Sequence, residues 1–284
     1  VFRAEVGLRP AQHYFAAGTK MTSAEDAFSR LRLLVGPEAC QQLRQAQILL
    51  CGVGGVGSWA AEALIRGGIG HLTLVDFDCI KASNLNRQLQ ALHSTLGQSK
   101  VEVLAQRLRD ICPQAEITAL SLHITPENCT ELLQRRPWTY IVDAIDERRA
   151  KLALLCACAK QKLPVVSSMG AANKLLPGEV RVTDISQTEG CPLAKNLRKY
   201  LRREGIQEGI QVVYSPELPV LLSNGAYTAD SVEAEGEKRP LGSISYLPAL
   251  FGLHCAAAVL THILPLETYP RRGCTPGKSS AADA

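Results

Sequence analysis

Ile48-Leu49-Leu50-Cys51-Gly52-Val53-Gly54-Gly55-Val56-Gly57-Ser58-Trp59-Ala60-Ala61-Glu62-Ala63-Leu64 decides how this chain is read. The first four residues form an apolar run suited to a buried strand, the glycines mark a tight loop, and the run from Ser58 reads as the start of a helix. A helix N-terminus presents unpaired N–H groups and a partial positive charge, and glycines let an anion approach the backbone closely. Strand, glycine loop and helix in that order predict a nucleotide phosphate site. The glycine spacing by itself fits a dinucleotide dehydrogenase or an adenylate-forming enzyme.

The next segments separate these two. Leu72-Thr73-Leu74-Val75 reads as a second strand ending in Asp76, with Asp78 two residues on, and an acid there can hold ribose hydroxyls. Asn84-Leu85-Asn86-Arg87-Gln88 follows, then Gly97-Gln98-Ser99-Lys100 at the start of a helical segment. Tyr140-Ile141-Val142 leads into Asp143-Ala144-Ile145-Asp146. Hydride transfer needs none of these groups. A triphosphate needs cations, and Mg2+ needs a carboxylate near the phosphates, so Arg87, Lys100 and Asp146 are of the right types.

Together, residues 52–57, the Asp76 and Asp78 pair, 84–88, Ser99-Lys100 and 142–146 resemble the ATP site of the ubiquitin-activating-enzyme-like superfamily, which includes the activators of sulfur carriers for thiamin and molybdopterin. Within it, residues 33–38, 52–66, 87–93, 125–128, 140–146 and 184–188 are similar to the tRNA threonylcarbamoyladenosine dehydratases, a likeness extending from about residue 28 to 264. The resemblance implies that Gly52, Gly54, Gly55 and Gly57 wrap the phosphates of ATP, that Asp76 holds its ribose, and that Arg87 and Lys100 grip the polyphosphate. It implies that Asp146 positions Mg2+, with Asp143 and Asp78 in support, and that Asn84 orders either the nucleotide or the loop carrying Arg87. The plainer alternatives are a tight turn for the glycines, a helix cap for Asp76, surface ion pairs for Arg87 and Lys100, and an ordinary strand-end acid for Asp146.

From residue 48 to 168, strand-like runs (48–51, 72–75, 116–122, 140–143, 164–167) alternate with helical ones (58–66, 100–111, 126–135, 147–162). That alternation predicts an α/β fold, a doubly wound, Rossmann-like, mostly parallel sheet with nucleotide at the carboxyl ends of its strands. Residues 169–266 are less regular and read as an appended lobe for substrate and tRNA. In that lobe 180–182 read as a strand, 192–204 as a helix, and 225–240 as a polar loop. Residues 1–20 are expected to be an extension or tag outside the fold, with 21–284 as one ATP-binding domain.

With 284 residues and 46% hydrophobic content the chain can bury one large core, and a net charge of +4 does not by itself announce a nucleic-acid binder. Ten scattered cysteines in a chain of this length suggest reduced thiols and a cytoplasmic protein. There is no Cys-x-x-Cys pair, only Cys156-Ala157-Cys158, so no structural zinc is expected. Residues 247–266 are the most apolar in the chain, but Pro248, His254, His262 and Pro265 interrupt them. A buried core helix is expected there, with no stable membrane insertion.

In the helix at 192–204, Leu193, Leu197 and Leu201 recur every four residues, while Lys195, Arg198, Lys199 and Arg202 fall on the opposite side. Given the resemblance, this basic face is expected to contact tRNA phosphates, although such faces are commonly just solvated. Arg30 lies in Phe28-Ser29-Arg30, similar to an Arg-(Tyr/Phe)-x-Arg element with which one subunit of these homodimers reaches its partner's ATP, with Ala27 in place of the first arginine.

The implied reaction is ATP-dependent dehydration of N6-threonylcarbamoyladenosine in tRNA. The threonyl carboxylate is adenylated and the side chain's own carbamoyl oxygen then closes a ring, so no enzyme nucleophile is needed. Sulfur-transfer proteins are possible partners. Two other readings stay open: an adenylating activator of a ubiquitin-like sulfur carrier, and a non-catalytic nucleotide-binding module.

Overall fold

A computed structural model of the chain describes residues 27–220, 241–264, 266 and 269. Its strands are β1 (Gln47–Cys51), β2 (His71–Val75), β3 (Glu116–Leu120), β4 (Tyr140–Asp143), β5 (Val165–Ser168), β6 (Arg181–Asp184) and β7 (Gln211–Tyr214). They form one sheet in the order β3-β2-β1-β4-β5-β7-β6, parallel throughout except for the antiparallel β6–β7 pair. Ile48, Leu49, Leu50 and Cys51 have no solvent exposure, the signature of a parallel strand covered on both faces.

Seven helices cover the sheet among the described residues: α1 (Ser29–Gln45), α2 (Gly57–Arg66), α3 (Lys100–Ile111), α4 (Cys129–Gln134), α5 (Arg148–Gln161), α6 (Pro192–Arg203) and α7 (Tyr246–Ile263). The strand period of two decides which face each residue serves. Leu50 and Leu72 join Leu64 of α2, Leu104 of α3 and Phe251 of α7 on one side. Leu49 and Ile141 join Leu132 of α4, Leu154 of α5 and Leu197 of α6 on the other. α7 is the one described helix long and apolar enough to cross a membrane, by length and composition. Half of it is buried, through Leu247, Phe251, Cys255 and Val259, and burying each of the larger of these contributes about 1.5–3 kcal/mol.

The doubly wound sheet expected from the alternating runs is present, and β6 and β7 extend it past residue 168. Between residues 48 and 168 two boundaries differ by more than one residue from the sequence expectation, each for a local reason. β3 stops at Leu120 rather than 122, where its carbonyl accepts the Asp76 N–H, and the chain then leaves the ladder. α4 begins at Cys129 rather than 126, because the Asn128 side chain accepts the Thr125 N–H and closes a turn around Pro126. The segments at 1–20 and 225–240 lie outside the described residues.

Register matters most for function. Cys51 is level with Val75 of β2 and with Asp143 of β4, so the chain leaves all three strands at the same height. The strand order reverses between β1 and β4, and the crevice outside the carboxyl ends at such a switch point is where this architecture binds ligands.

Candidate functional site

At the end of β1 the glycine loop is folded against its neighbours. Gly52 has φ +88°, and a Cβ on it would lie 2.7 Å from the Ala144 carbonyl oxygen. A Cβ on Gly57 would lie 1.8 Å from the Gly52 carbonyl oxygen. These two glycines are therefore required by the loop's own packing, and they draw the Asp143–Asp146 turn up to it. Gly54 and Gly55 keep partly exposed backbone, with the Arg87 and Pro248 side chains close over Gly55, and no side chain caps the start of α2. An anion can reach those amides.

Asp76 sits at the matching end of β2. Its Oδ2 accepts the Val53 N–H at 2.8 Å and its Oδ1 accepts the Asp78 N–H at 2.9 Å. The carboxylate thus braces the glycine loop while each oxygen keeps a further lone pair for a ribose hydroxyl. Asp78 in turn accepts from Lys100 Nζ at 2.6 Å; the Lys100 side chain is 7% exposed and that of Asp78 40%. A chain of hydrogen bonds therefore links the glycine loop to the first turn of α3. Beside Asp76, the Phe77 and His123 rings pack at 4.3 Å, and His123 Nε2 is 3.0 Å from Glu147 Oε2.

Asn84 is buried and accepts the Lys81 N–H at 3.0 Å, and its carbonyl accepts the Arg87 N–H. Of its two expected duties, ordering the loop that carries Arg87 is the one visible here. Arg87 lies over Gly55, its Cγ and Cδ 3.2 Å from where a Cβ would stand, and its guanidinium donates to the Ser83 carbonyl at 2.8 Å. An open groove runs beside it, lined by Ser83, Leu85, Asn86, Leu241 and Ser243. Three residues inside the quoted stretches, to which the sequence assigns no role, join the site. The Trp59 indole donates to the Arg87 carbonyl at 3.2 Å, and the Gln90 amide donates to the Val53 carbonyl at 2.6 Å. Gln88 is buried with its side-chain oxygen unpaired, and its place at the end of the 84–88 stretch is the sequence signal for it.

Asp146 is exposed at the tip of the turn after β4. No three His, Cys, Asp or Glu side chains converge as a metal cage among the described residues. One carboxylate beside a glycine loop that can receive phosphates instead suits Mg2+, which commonly takes one or two carboxylates, substrate phosphate and water. Asp143 is fully buried and bonded to Lys151. Arg30 is exposed in the first turn of α1, upstream of a kink at Gly36 (φ +81°) and Pro37, with Leu33 and Leu34 exposed beside it.

The basic helix differs from expectation at one position. Lys195, Lys199 and Arg202 are exposed, and Leu197 and Leu201 are buried. The Arg198 guanidinium does not project outward; it folds back to donate to the Thr188 carbonyl at 2.8 Å and to the Thr188 hydroxyl. A residue at helical spacing can still turn inward when unpaired carbonyls lie within the reach of its long stem. The nine described cysteines are free, and burial pushes the Cys51 thiol well up and that of Cys255 to about 12, which makes them poor nucleophiles.

The ThiF family model matches residues 28–274. The chain belongs to the ThiF family. It also belongs with the tRNA threonylcarbamoyladenosine dehydratases: that of Bacillus subtilis is 39% identical over 240 residues, 84% of this chain and 94% of the relative. The crystal structure of the Escherichia coli enzyme in complex with ATP superimposes with a TM-score of 0.74 at 34% identity, covering 85% of this chain and 96% of that one. Likeness to the molybdopterin-synthase adenylyltransferase of Salmonella typhimurium is shorter, 33% over 154 residues, 54% of this chain and 60% of the relative. The fold and superfamily expected from the five motifs are those of these ThiF-family proteins.

Proposed function

We propose that this ThiF-family protein is an ATP-dependent tRNA threonylcarbamoyladenosine dehydratase that cyclises the threonylcarbamoyl side chain of a tRNA adenosine. What supports this chemistry is that the glycine loop leaves β1 level with the ends of β2 and β4, with Asp76 bonded to it, Arg87 over Gly55, Lys100 bonded to Asp78 and Asp146 on the turn it approaches. The near-full-length likeness to named dehydratases supports the substrate.

In this reading the amides of Gly54 and Gly55 and the start of α2 receive the phosphates, and Asp76 receives the ribose. The threonyl carboxylate attacks the α-phosphorus of ATP and pyrophosphate leaves. Arg87 and Lys100 stabilise the charge that develops on it, a type of interaction worth about 2.7–4 kcal/mol where it has been measured for a single donor. Asp146 would hold Mg2+, which would neutralise phosphate charge. The carbamoyl oxygen then attacks the activated carbonyl carbon, AMP departs with one carboxylate oxygen, and the substrate has lost the elements of water. Nucleophile and electrophile belong to one side chain, so holding it in place does much of the second step. The groove beside Arg87 is the natural place for that side chain. Lys195, Lys199 and Arg202 add electrostatic affinity for the tRNA backbone, and the tRNA substrate and free thiols suit a cytoplasmic enzyme.

A homodimer is part of the proposal. The exposed Leu33 and Leu34 beside Arg30 supply apolar surface to bury, and Arg30 would reach the partner's phosphates. Mixing Arg30→Ala with Asp146→Asn protein should restore part of the activity, because one site of a mixed dimer keeps both groups; no recovery despite demonstrated subunit exchange would remove the role in trans. The function is tested by AMP and pyrophosphate release. Release should require tRNA bearing N6-threonylcarbamoyladenosine, whereas release driven by a ubiquitin-like carrier in its place would support the sulfur-carrier reading.

A further inference from the structure

Lys151, on the second turn of α5, faces the core among Ala150, Leu154 and Leu155 and has no solvent exposure. Its Nζ donates to Asp143 Oδ2 at 2.7 Å and to Ser167 Oγ at 3.2 Å, and Ser167 Oγ donates to the same Asp143 oxygen at 2.6 Å. All three side chains are fully buried, at the ends of β4 and β5. Such a cluster is an odd way to gain stability. Dehydrating two charges commonly costs as much as their attraction returns, and apolar replacements of similar volume are often neutral or better.

The other Asp143 oxygen indicates what the cluster does. Oδ1 accepts the Ile145 N–H at 3.1 Å, in the peptide one residue before Asp146. The same turn is tied to the glycine loop by the Ala144 N–H, which donates to the Cys51 carbonyl at 2.8 Å, and by the close approach of Gly52 to the Ala144 carbonyl. Asp146 itself is exposed, so its carboxylate goes where the Ile145 peptide plane sends it.

We infer that Lys151, Asp143 and Ser167 form a buried positioning triad that fixes the Ile145 peptide and thereby aims Asp146 at the nucleotide's metal and phosphates. None of the three touches substrate. The inference rests on the proposed role of Asp146 and adds to it the part of the core that holds that residue still. A displacement of about 1 Å at a reacting site can cost about a hundredfold in rate, so rigidity here has kinetic value.

The test is the double variant Asp143→Asn with Lys151→Met, which removes both buried charges together, with Ser167→Ala as a milder variant that keeps the ion pair. Both should remain folded, with the double variant melting within a few degrees of wild type. Amide exchange over 143–146 should accelerate at least tenfold in the double variant and measurably in Ser167→Ala. ATP-dependent pyrophosphate release should fall about ten- to a hundredfold in kcat for the double variant, with KM for ATP changed less than threefold and more Mg2+ needed for half-maximal rate. Exchange and ATP affinity are read without tRNA, so they stand even if the assigned tRNA substrate is wrong. A folded double variant with wild-type exchange over 143–146, or with wild-type kcat and Mg2+ requirement, overturns the inference. If the double variant does not fold, wild-type exchange and rate in Ser167→Ala overturn it.

Discussion

Two lysine–aspartate pairs of nearly equal length, Lys151–Asp143 at 2.7 Å and Lys100–Asp78 at 2.6 Å, stand on opposite sides of the glycine loop. In the first both side chains are wholly buried; in the second the lysine is 7% exposed and the aspartate 40%. The chemistry is the same and the surroundings are not. A pair sealed in the core has no ligand to meet and can act only on the backbone beside it. The second pair opens at Asp78 while Lys100 stays 7% exposed, and an ammonium bonded to one carboxylate oxygen keeps donors for a phosphate arriving on that side. Proximity alone does not distinguish a residue that holds the site from one that works in it; whether its partner carboxylate opens to solvent does.

The largest effect is expected at Asp146, three residues after the aspartate of the first pair. Asp146→Asn should lower turnover at least ~100-fold while ATP still binds, because the glycine loop and Asp76 are untouched. Pyrophosphate release alongside ATP titration calorimetry checks this, and near-normal turnover would sink the assignment of Asp146.

Next, the pairs should separate when each loses its lysine. Lys151→Met leaves an unpaired carboxylate in the core and should cost about 3–5 kcal/mol in urea unfolding. Lys100→Met leaves a carboxylate that water still reaches, so it should cost less, about 1 kcal/mol in stability, but slow pyrophosphate release about 100-fold. If the two variants lose stability equally, the contrast between the pairs is wrong.

A similar division of labour should appear on α6. Replacing Lys195, Lys199 and Arg202 together by Glu should weaken tRNA binding and flatten its salt dependence, by about 0.7–0.9 in log–log slope for each phosphate left without its cation. Arg198→Glu should instead destabilise the fold by about 1–3 kcal/mol, since it strips the Thr188 carbonyl of its donor. Salt titrations and melting curves of both variants separate the two roles.

The smallest effect belongs to Glu62, which ties α2 to α3 through Arg107 at 2.6 Å. Burial alone would raise its pKa, and hydrogen bonds from Arg107 and Arg66 reverse this and hold it below the usual range. Its contribution is therefore present above an ordinary carboxylate pKa of about 4.3 and is lost as pH falls through the lower folded value. Glu62→Gln should remove less than about 1 kcal/mol near neutral pH and nothing at strongly acid pH, as urea unfolding at several pH values would show.

The sheet was legible where local rules agree. Apolar runs of the right length, glycines and strand-end acids mark β1, β2 and β4 and the residues that leave them. β7 has four residues between Gly209 and Pro216, too few for a period to register, and α1 is broken by Gly36-Pro37. The site's residue types were legible because phosphate chemistry demands them, but their partners were not. Arg198 shares the helical spacing of its neighbours, and only the position of Thr188 reveals that it turns back. Lys151 does carry a signal in the sequence: a lysine at the spacing of Leu154, Leu155 and Cys158, on an apolar helix face, must find a buried acid.

The most direct test is nucleoside mass spectrometry of tRNA bearing N6-threonylcarbamoyladenosine, incubated with the protein, ATP and Mg2+. The proposed chemistry predicts that the modified nucleoside loses the mass of one water, that AMP and pyrophosphate appear with it, and that Asp146→Asn protein leaves the nucleoside unchanged. An unchanged nucleoside with folded wild-type protein that binds ATP would contradict it.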